Sequence, residues 1–277
     1  MILITGSQGF IGSHLYDAIP KCIGLDKDFK GREQLYIKSN LLDYSQLFWD
    51  IKNYEIEYVL HNAAIPSVPA SYDDPMKTYI NNVNASVNLI KACKINKVKK
   101  IIFASSSSVM GDSPYGHSKK IIEEILDKSG LNYTILRYFN VVGPRQRENV
   151  ASIMLKQILK DEPVTIFGDG STTRDFSYVQ NVVNANLKAL NQKYDGQTLE
   201  VGTGISHSLL DLYRSIRQIV RPNHSGIIFK DTRVGDIKFS QAKTFLNKTE
   251  ITSFNKGIEK WLSYELASLA PVSSAEP

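Results

Sequence analysis

Tyr115 and Lys119 stand four residues apart in the run Tyr115-Gly-His-Ser-Lys119, shortly after the serines Ser105 to Ser108. On a helix that spacing puts a phenol and an ammonium on one face. Ser113 is a suitable N-cap and Pro114 a suitable first residue, so a helix is predicted to begin here. A free tyrosine titrates near about 10, too high for a base at neutral pH. Lowering that by about 3 pH units takes roughly 4 kcal/mol of preferential stabilisation of the phenolate, which a nearby ammonium supplies. A serine hydroxyl alongside can share the proton of a substrate alcohol. These groups can draw the proton from a carbinol while a nicotinamide takes the hydride from its carbon.

The elements that must position them start at the first residue. Met1 to Thr5 is an apolar run that reads as a buried strand, and Gly6-Ser-Gln-Gly9-Phe-Ile-Gly12 follows it into a helical pattern. Strand, glycine-rich turn and helix form the pyrophosphate entry of a dinucleotide fold. The spacing is GxxGxxG, and alone it is weak evidence. Cys22 to Asp26 reads as a second strand ending in an acid, placed to accept from adenosine ribose hydroxyls and to repel a 2′-phosphate. NAD is therefore expected over NADP.

Further strands are expected at Tyr58 to His61, Lys100 to Ala104 and Asn132 to Tyr138. A long helix is expected over Pro75 to Ile95, with Met76, Ile80, Val83, Val87 and Ile90 near a 3.6 period. This alternation predicts an α/β doubly wound parallel sheet of the Rossmann kind, with ligand at the carboxyl ends of its strands. Beyond Gly143-Pro144 the pattern changes to a smaller C-terminal substrate-binding lobe. Residues 1–143, joined by a returning 177–201, are read as the NAD-binding domain, and 144–176 with 202–266 as the lobe. The small polar composition of 267–277 predicts a disordered tail.

Composition limits the function classes. The 277 residues carry 33 basic and 28 acidic side chains, a net charge of +5, but the lysines are scattered, so nucleic acid is not expected as a partner. Arg145, Arg147, Arg174 and Arg233 fall in predicted loops, where paired forks could grip a diphosphate. Cys22 and Cys93 have no metal-ligand spacing, and no metal is expected. No signal peptide precedes the first strand and no apolar run is long enough to span a membrane, so a cytoplasmic location is expected.

Taken together, the glycine trio, His61-Asn-Ala-Ala64, the serine run and Tyr115-x-x-x-Lys119 resemble the extended short-chain dehydrogenase/reductases. Arg137 to Gln146, Ile166 to Phe176, Val201 to Gly204 and Arg233 to Ile237 are similar, more narrowly, to the NAD-dependent nucleotide-sugar epimerase/dehydratases. The resemblance runs from Met1 to about Trp261. It implies that NAD oxidises a sugar C4 hydroxyl and later returns the hydride. By position it implies Tyr115 as base, Lys119 as its partner and ribose ligand, and Ser106 as the proton-sharing hydroxyl, with Ser105 and Ser107 as alternatives in a run that blurs the register. On the cofactor side it implies Gly6, Gly9, Phe10, Ile11, Gly12, Asp26, Asn40, Leu41, Ala63, Ala64, Asn81, Ser105 and Tyr138, besides Tyr115 and Lys119. For the nucleotide diphosphate it implies Asn140, Arg174, Arg233 and Asp236, with Phe167 against the uracil. A buried structural asparagine is the other reading of Asn140. The family also implies a homodimer through helices 75–96 and 114–128.

Departures narrow the reaction. Dehydratases of the family carry an Asp-Glu pair after the reactive hydroxyl, and decarboxylases a Glu, to assist elimination or loss of carbon dioxide. Ser107 and Ser108 occupy those places here. Without an acid, oxidation at C4 can only reverse, which is epimerisation once the 4-keto sugar has rotated. A UDP-hexose, UDP-N-acetylhexosamine or UDP-hexuronate 4-epimerase is the expected enzyme. The rivals are a 4-keto-sugar reductase, a 4,6-dehydratase and a silent dinucleotide sensor. Ser240 stands where hexose-restricted members carry a tyrosine, leaving room for an N-acetyl group. Only nine positions separate Ser106 from Tyr115, a dozen or more fewer than in relatives, so an open sugar pocket is predicted.

Overall fold

The computed structural model describes residues 1–28, 35–146, 149–232 and 237–269. The apolar runs form β1 (Ile2–Thr5), β2 (Cys22–Asp26), β3 (Tyr36–Lys38), β4 (Tyr58–His61), β5 (Lys100–Ser106) and β6 (Tyr133–Tyr138). With the returning strand Gln197–Val201 they make a seven-stranded sheet in the order Gln197–Val201, β6, β5, β4, β1, β2, β3. Every pairing is parallel. Both faces of such a sheet are covered, so its strands read as continuous rather than alternating hydrophobic runs. The order reverses between β1 and β4, and the crevice beyond their carboxyl ends is where such sheets take ligands.

The first crossover helix, α1 (Phe10–Ala18), lies on one face, and α2 (Tyr44–Asn53), capped by Asp43, lies on the other. Short helices α3 (Val68–Asp73) and α4 (Pro75–Tyr79) lead through one π-helical turn, Ile80–Asn84, into α5 (Ala85–Ile95). The helix expected to run unbroken over 75–95 is thus interrupted. At the interruption Asn82 turns inward, accepting from the Ile65 N–H at 2.8 Å and donating to Ser118 Oγ at 3.1 Å. Met76, Ile80 and Val87 of the apolar stripe remain 67%, 41% and 37% exposed, while Leu89 and Ile90 are buried against the sheet. After β5 comes α6 (Pro114–Ser129), whose inner face, Ile122 and Leu126, joins α2 and α5 in one core.

The C-terminal elements hold a separate core. Val164–Phe167 pairs in parallel with Ile227–Lys230. Helices α7 (Val150–Leu159), α8 (Val179–Ala189), α9 (Leu209–Val220) and α10 (Phe254–Leu269) follow in chain order. Helix α8 packs with α1 on the main sheet, whereas α7, α9 and α10 close around Phe176, Tyr213 and Trp261. Residues 267–269, read as part of a disordered tail, continue α10, because the helix extends past its Trp261 anchor to Leu269.

Asp175 stitches the two cores together. Fully buried, it accepts from the Thr203 N–H and hydroxyl at 2.8 and 2.7 Å. Its other oxygen accepts from the Gly204 and Ala242 N–H groups at 2.8 and 3.2 Å.

Candidate active site

Strand β5 ends at Ser106 and delivers the serines to the carboxyl edge of the sheet. Ser106 caps a single 3-10 turn, Ser107–Met110, its Oγ accepting from the Ser108 N–H at 3.1 Å. Three residues later Ser113 caps α6 by accepting from the Gly116 N–H at 3.0 Å. The turn and the helix start are pressed together: a Cβ on Gly116 would lie 2.1 Å from the Ser108 carbonyl oxygen, so no larger residue fits without moving backbone. Nine residues therefore suffice to carry the chain from the strand end into the helix.

This junction brings Ser106, Tyr115 and Lys119 together. The Ser106 hydroxyl, which donates to Ser108 Oγ at 3.1 Å, lies beside the Tyr115 phenol, which is 8% exposed. Lys119, 3% exposed, donates from Nζ to the Ala104 carbonyl at 2.7 Å and lies 4.8 Å over the Phe103 ring. The expected depression of the phenol by the ammonium is reversed here. Burial pushes the Tyr115 phenol up to about 12, against the opposing Ser106 hydrogen bond. Burial also pulls Lys119 down to about 7, against the opposing charge of Glu123. Desolvation disfavours the charged form of both groups, and it is the largest influence on each.

Beneath them runs a buried polar chain. Ser86 Oγ donates to the Asn82 carbonyl at 2.6 Å and so accepts from His61 Nε2 at 2.8 Å. His61 Nδ1 then accepts from Thr5 Oγ1 at 2.8 Å, and Thr5 in turn accepts from the Ala63 N–H at 3.3 Å. Burial, with the Lys119 charge, holds His61 down at about 3, so it stays neutral and this order of donors is fixed. The chain pins Ala63 at the floor of the crevice.

On the crevice's other side lies the glycine turn. Gly6 has φ +71°, and a Cβ on it would meet the Ala63 N at 2.8 Å; one on Gly12 would lie 2.1 Å from the Gly6 carbonyl oxygen. Turn, helix start and the β4 loop can approach this closely only through glycine. Asp26, at the end of β2, accepts from the Gln8 N–H at 3.0 Å, which sets its carboxylate beside the turn.

Not every residue expected at the cofactor meets the crevice with its side chain. Ser105 donates to Glu123 at 2.6 Å, and the buried Tyr138 accepts from Asn186 at 2.8 Å. Asn81 donates to the Lys77 carbonyl of its own helical turn at 2.8 Å, while its neighbour Asn82 faces inward. Asn40 accepts from the Leu42 N–H at 3.1 Å, and Leu41 is buried in the core under α2. Phe10 packs edge-on to His14, and Ile11 packs against the core beneath α1.

A cleft of about 170 Å³ opens beside the serines and is lined by Ser107, Ser108, Asn140, Arg174 and the buried Ser240. None of its described lining residues is acidic. Val68 and Ile237 supply the apolar part of its wall; a Cβ on Gly111 of the short connection would be 3.3 Å from Ile237 Cδ1. Tyr72 also braces the connection, donating to the Asp112 carbonyl at 2.7 Å. Phe167 is half-buried at the end of its strand, Val164–Phe167. Arg145 is placed elsewhere, forked between Asp17 at 2.7 Å and His14 at 2.9 Å on α1. Arg147, Arg233 and Asp236 lie outside the described residues.

Residues 2–202 match the model of the NAD dependent epimerase/dehydratase family. The chain belongs to that family. It is 31% identical to an uncharacterised UDP-glucose epimerase of Bacillus subtilis, over 97% of this chain and 98% of the relative. That alignment spans 318 positions, more than the 277 residues of this chain, so the relative carries insertions absent here. Among solved structures, the UDP-glucose 4-epimerase of Thermotoga maritima with UDP-glucose superposes with a TM-score of 0.89 at 30% identity, covering 97% of this chain and 99% of that one. A UDP-N-acetylglucosamine 4-epimerase of Methanobrevibacter ruminantium, in complex with UDP-N-acetylmuramic acid, gives 0.86 at 32% identity, covering 96% and 98%.

The cofactor of the family is NAD, and the crevice fits it. The glycine turn leaves the space that side chains would fill. Gln8 Nε2 and both amide atoms of Asn62 are buried there without a hydrogen-bond partner, an arrangement that a polar ligand relieves.

Proposed function

We propose that this protein is an NAD-dependent UDP-sugar 4-epimerase whose acid–base groups are Tyr115, Ser106 and Lys119. The observation that carries the reading is the cleft itself. Ser107 and Ser108, directly after Ser106, line it together with Asn140 and Arg174, and no described residue of the lining is acidic. The names of the similar enzymes support the same reaction, on UDP-glucose in one case and UDP-N-acetylglucosamine in the other.

Bound NAD supplies the acceptor and later the donor of the C4 hydride; the glycine turn and Asp26 would hold it. The side chains manage the protons. Tyr115 takes the C4 hydroxyl proton with Ser106 sharing it, and returns it after the 4-keto sugar has presented its other face. A phenol raised to about 12 serves as base only when positive charge builds beside it, and Lys119, poised at about 7, gains a proton readily near neutral pH. Arg174 pairs with the diphosphate and Asn140 donates to it; Ser240, whose buried Oγ makes no hydrogen bond, faces the sugar end. The C-terminal elements act as the substrate lobe. Ser107 and Ser108 offer no carboxyl to drive elimination, so the 4-keto sugar is reduced again rather than dehydrated.

Incubation with UDP-glucose, UDP-N-acetylglucosamine and UDP-glucuronate, resolved by anomeric proton signals, tests this. A new 4-epimer from one of them is expected, and Tyr115→Phe should lower the rate by about 10²–10⁴-fold. Loss of water, or turnover only with added NADPH, would replace the epimerase reading with the dehydratase or the reductase. We place the enzyme in the cytoplasm as a homodimer built on α4, α5 and α6; no described helix is long and apolar enough to cross a membrane.

A further inference from the structure

The short junction has a brace that the mechanism does not use. Glu123 lies one helical turn beyond Lys119, and its carboxylate is buried between three elements. Ser105, the residue before Ser106, donates to Oε1 at 2.6 Å. Arg137 of β6 forks onto the same carboxylate, Nε to Oε1 at 3.0 Å and Nη2 to Oε2 at 2.6 Å. From its own helix Glu123 also faces Lys119.

We propose that Glu123 is a positioning residue: it fixes the serine strand against the catalytic helix and supplies the counter-charge that lets Lys119 act as an ammonium. The proposal rests on the epimerase reading. Among the described residues, no other group around Lys119 gives it negative charge. His61 on β4 is neutral, the Tyr115 phenol is protonated, and β5 offers the Ala104 carbonyl and the Phe103 ring. The charge of Arg137 is spent on Glu123 itself in a two-point pair. A structural clamp alone would need only the fork to Arg137. The bond to Ser105 ties the carboxylate to the residue preceding the reactive hydroxyl, and its charge opposes the burial that strips Lys119 of its proton.

The test compares Glu123→Gln and Glu123→Asp with the full wild-type chain loaded with NAD. Removing the charge should move the rate–pH profile of Glu123→Gln acidic by about one pH unit, so that its rate falls about tenfold at pH 8.5 but far less at pH 6. Glu123→Asp keeps the charge and shortens the reach to Ser105; its rate should fall across the range with the profile in place. A uniform loss in Glu123→Gln, or an acidic move in Glu123→Asp, would overturn the proposal. Thermal unfolding supplies a readout independent of turnover, and therefore of the epimerase reading. If Lys119 loses its counter-charge, the Glu123→Gln melting temperature should fall more steeply than that of wild type between pH 7 and 5.5, and parallel curves would reject the electrostatic role. If Glu123→Gln does not fold, Glu123→Asp and Ser105→Ala carry the test. Both should slow turnover with the profile in place, and wild-type rates in both would reject the brace.

Discussion

At the scale of single residues, burial rather than proximity sets the charge at Tyr115 and Lys119. The four-residue spacing was legible because a helix puts the two side chains on one face whatever surrounds them. The direction of the shifts was not, because it depends on how much water the sheet, α5 and α6 exclude. Lys119 titrates at about 7 when folded against an ordinary 10.5, so the unfolded chain binds more protons between those values. Stability attributable to this group therefore rises with pH across that window and is lost as pH falls towards 7. Lys119→Met has no such proton to shed. The difference in melting temperature, wild type minus variant, should climb steadily from pH 7 to 9.5, and a flat difference would show that Lys119 is charged when folded. Glu123 and Asn82 illustrate what sequence alone could not reach. Glu123 stands four residues beyond Lys119, a readable spacing, but its partners Ser105 and Arg137 come from two strands that only the sheet brings together. Arg145 shows the converse, since its loop position suggested a diphosphate contact and the fold gives it Asp17, 128 residues away in the chain.

At the scale of elements, the central strands were readable because parallel strands buried on both faces leave continuous apolar runs. The edge strand Tyr36–Lys38 was missed: only Ile37 is buried among its three residues, so no run announces it. The π-helical turn was missed for a different reason. Its position follows from Asn82 reaching Ile65 and Ser118, contacts made across the fold rather than along the helix. The tightest element contact is the one between the Ser107–Met110 turn and the start of α6. Gly116→Ala would place its Cβ 2.1 Å from the Ser108 carbonyl oxygen, so turn and helix must separate. Overpacking of this kind costs about 1–3 kcal/mol, which corresponds to a fall of roughly 2–10 °C in melting temperature for a chain of this size. Because the displaced turn carries Ser106, activity should fall further than stability. A variant that melts lower yet keeps the full rate would show that the junction tolerates separation.

At the scale of the whole molecule, two features bear on the cleft and on the proposed dimer. Asp175 joins the end of the returning strand to the C-terminal elements through four hydrogen bonds, and Arg174 precedes it directly, so the cleft-lining arginine is tied to the end of the sheet. The other feature is the apolar stripe left uncovered on the helices beside the site. Met76, Ile80 and Val87 come from the segment around the π-helical turn and Ile121 from α6, all at least 37% exposed. Those same helices bury Leu89, Ile90 and Ile122 against the sheet, so the exposed stripe is a second, opposite apolar face rather than the edge of the core. A second copy of the chain, meeting the first with the same stripe, would cover it in an isologous contact. Each glutamate introduced there would have to be buried in the dimer without a partner. Wild type is expected to run as a dimer in light scattering and Ile80→Glu with Ile121→Glu as a monomer, while the melting temperature of the NAD-loaded protein shows that the fold survives. A wild-type chain that is itself monomeric at high micromolar concentration would refute the dimer and leave the stripe as bare surface.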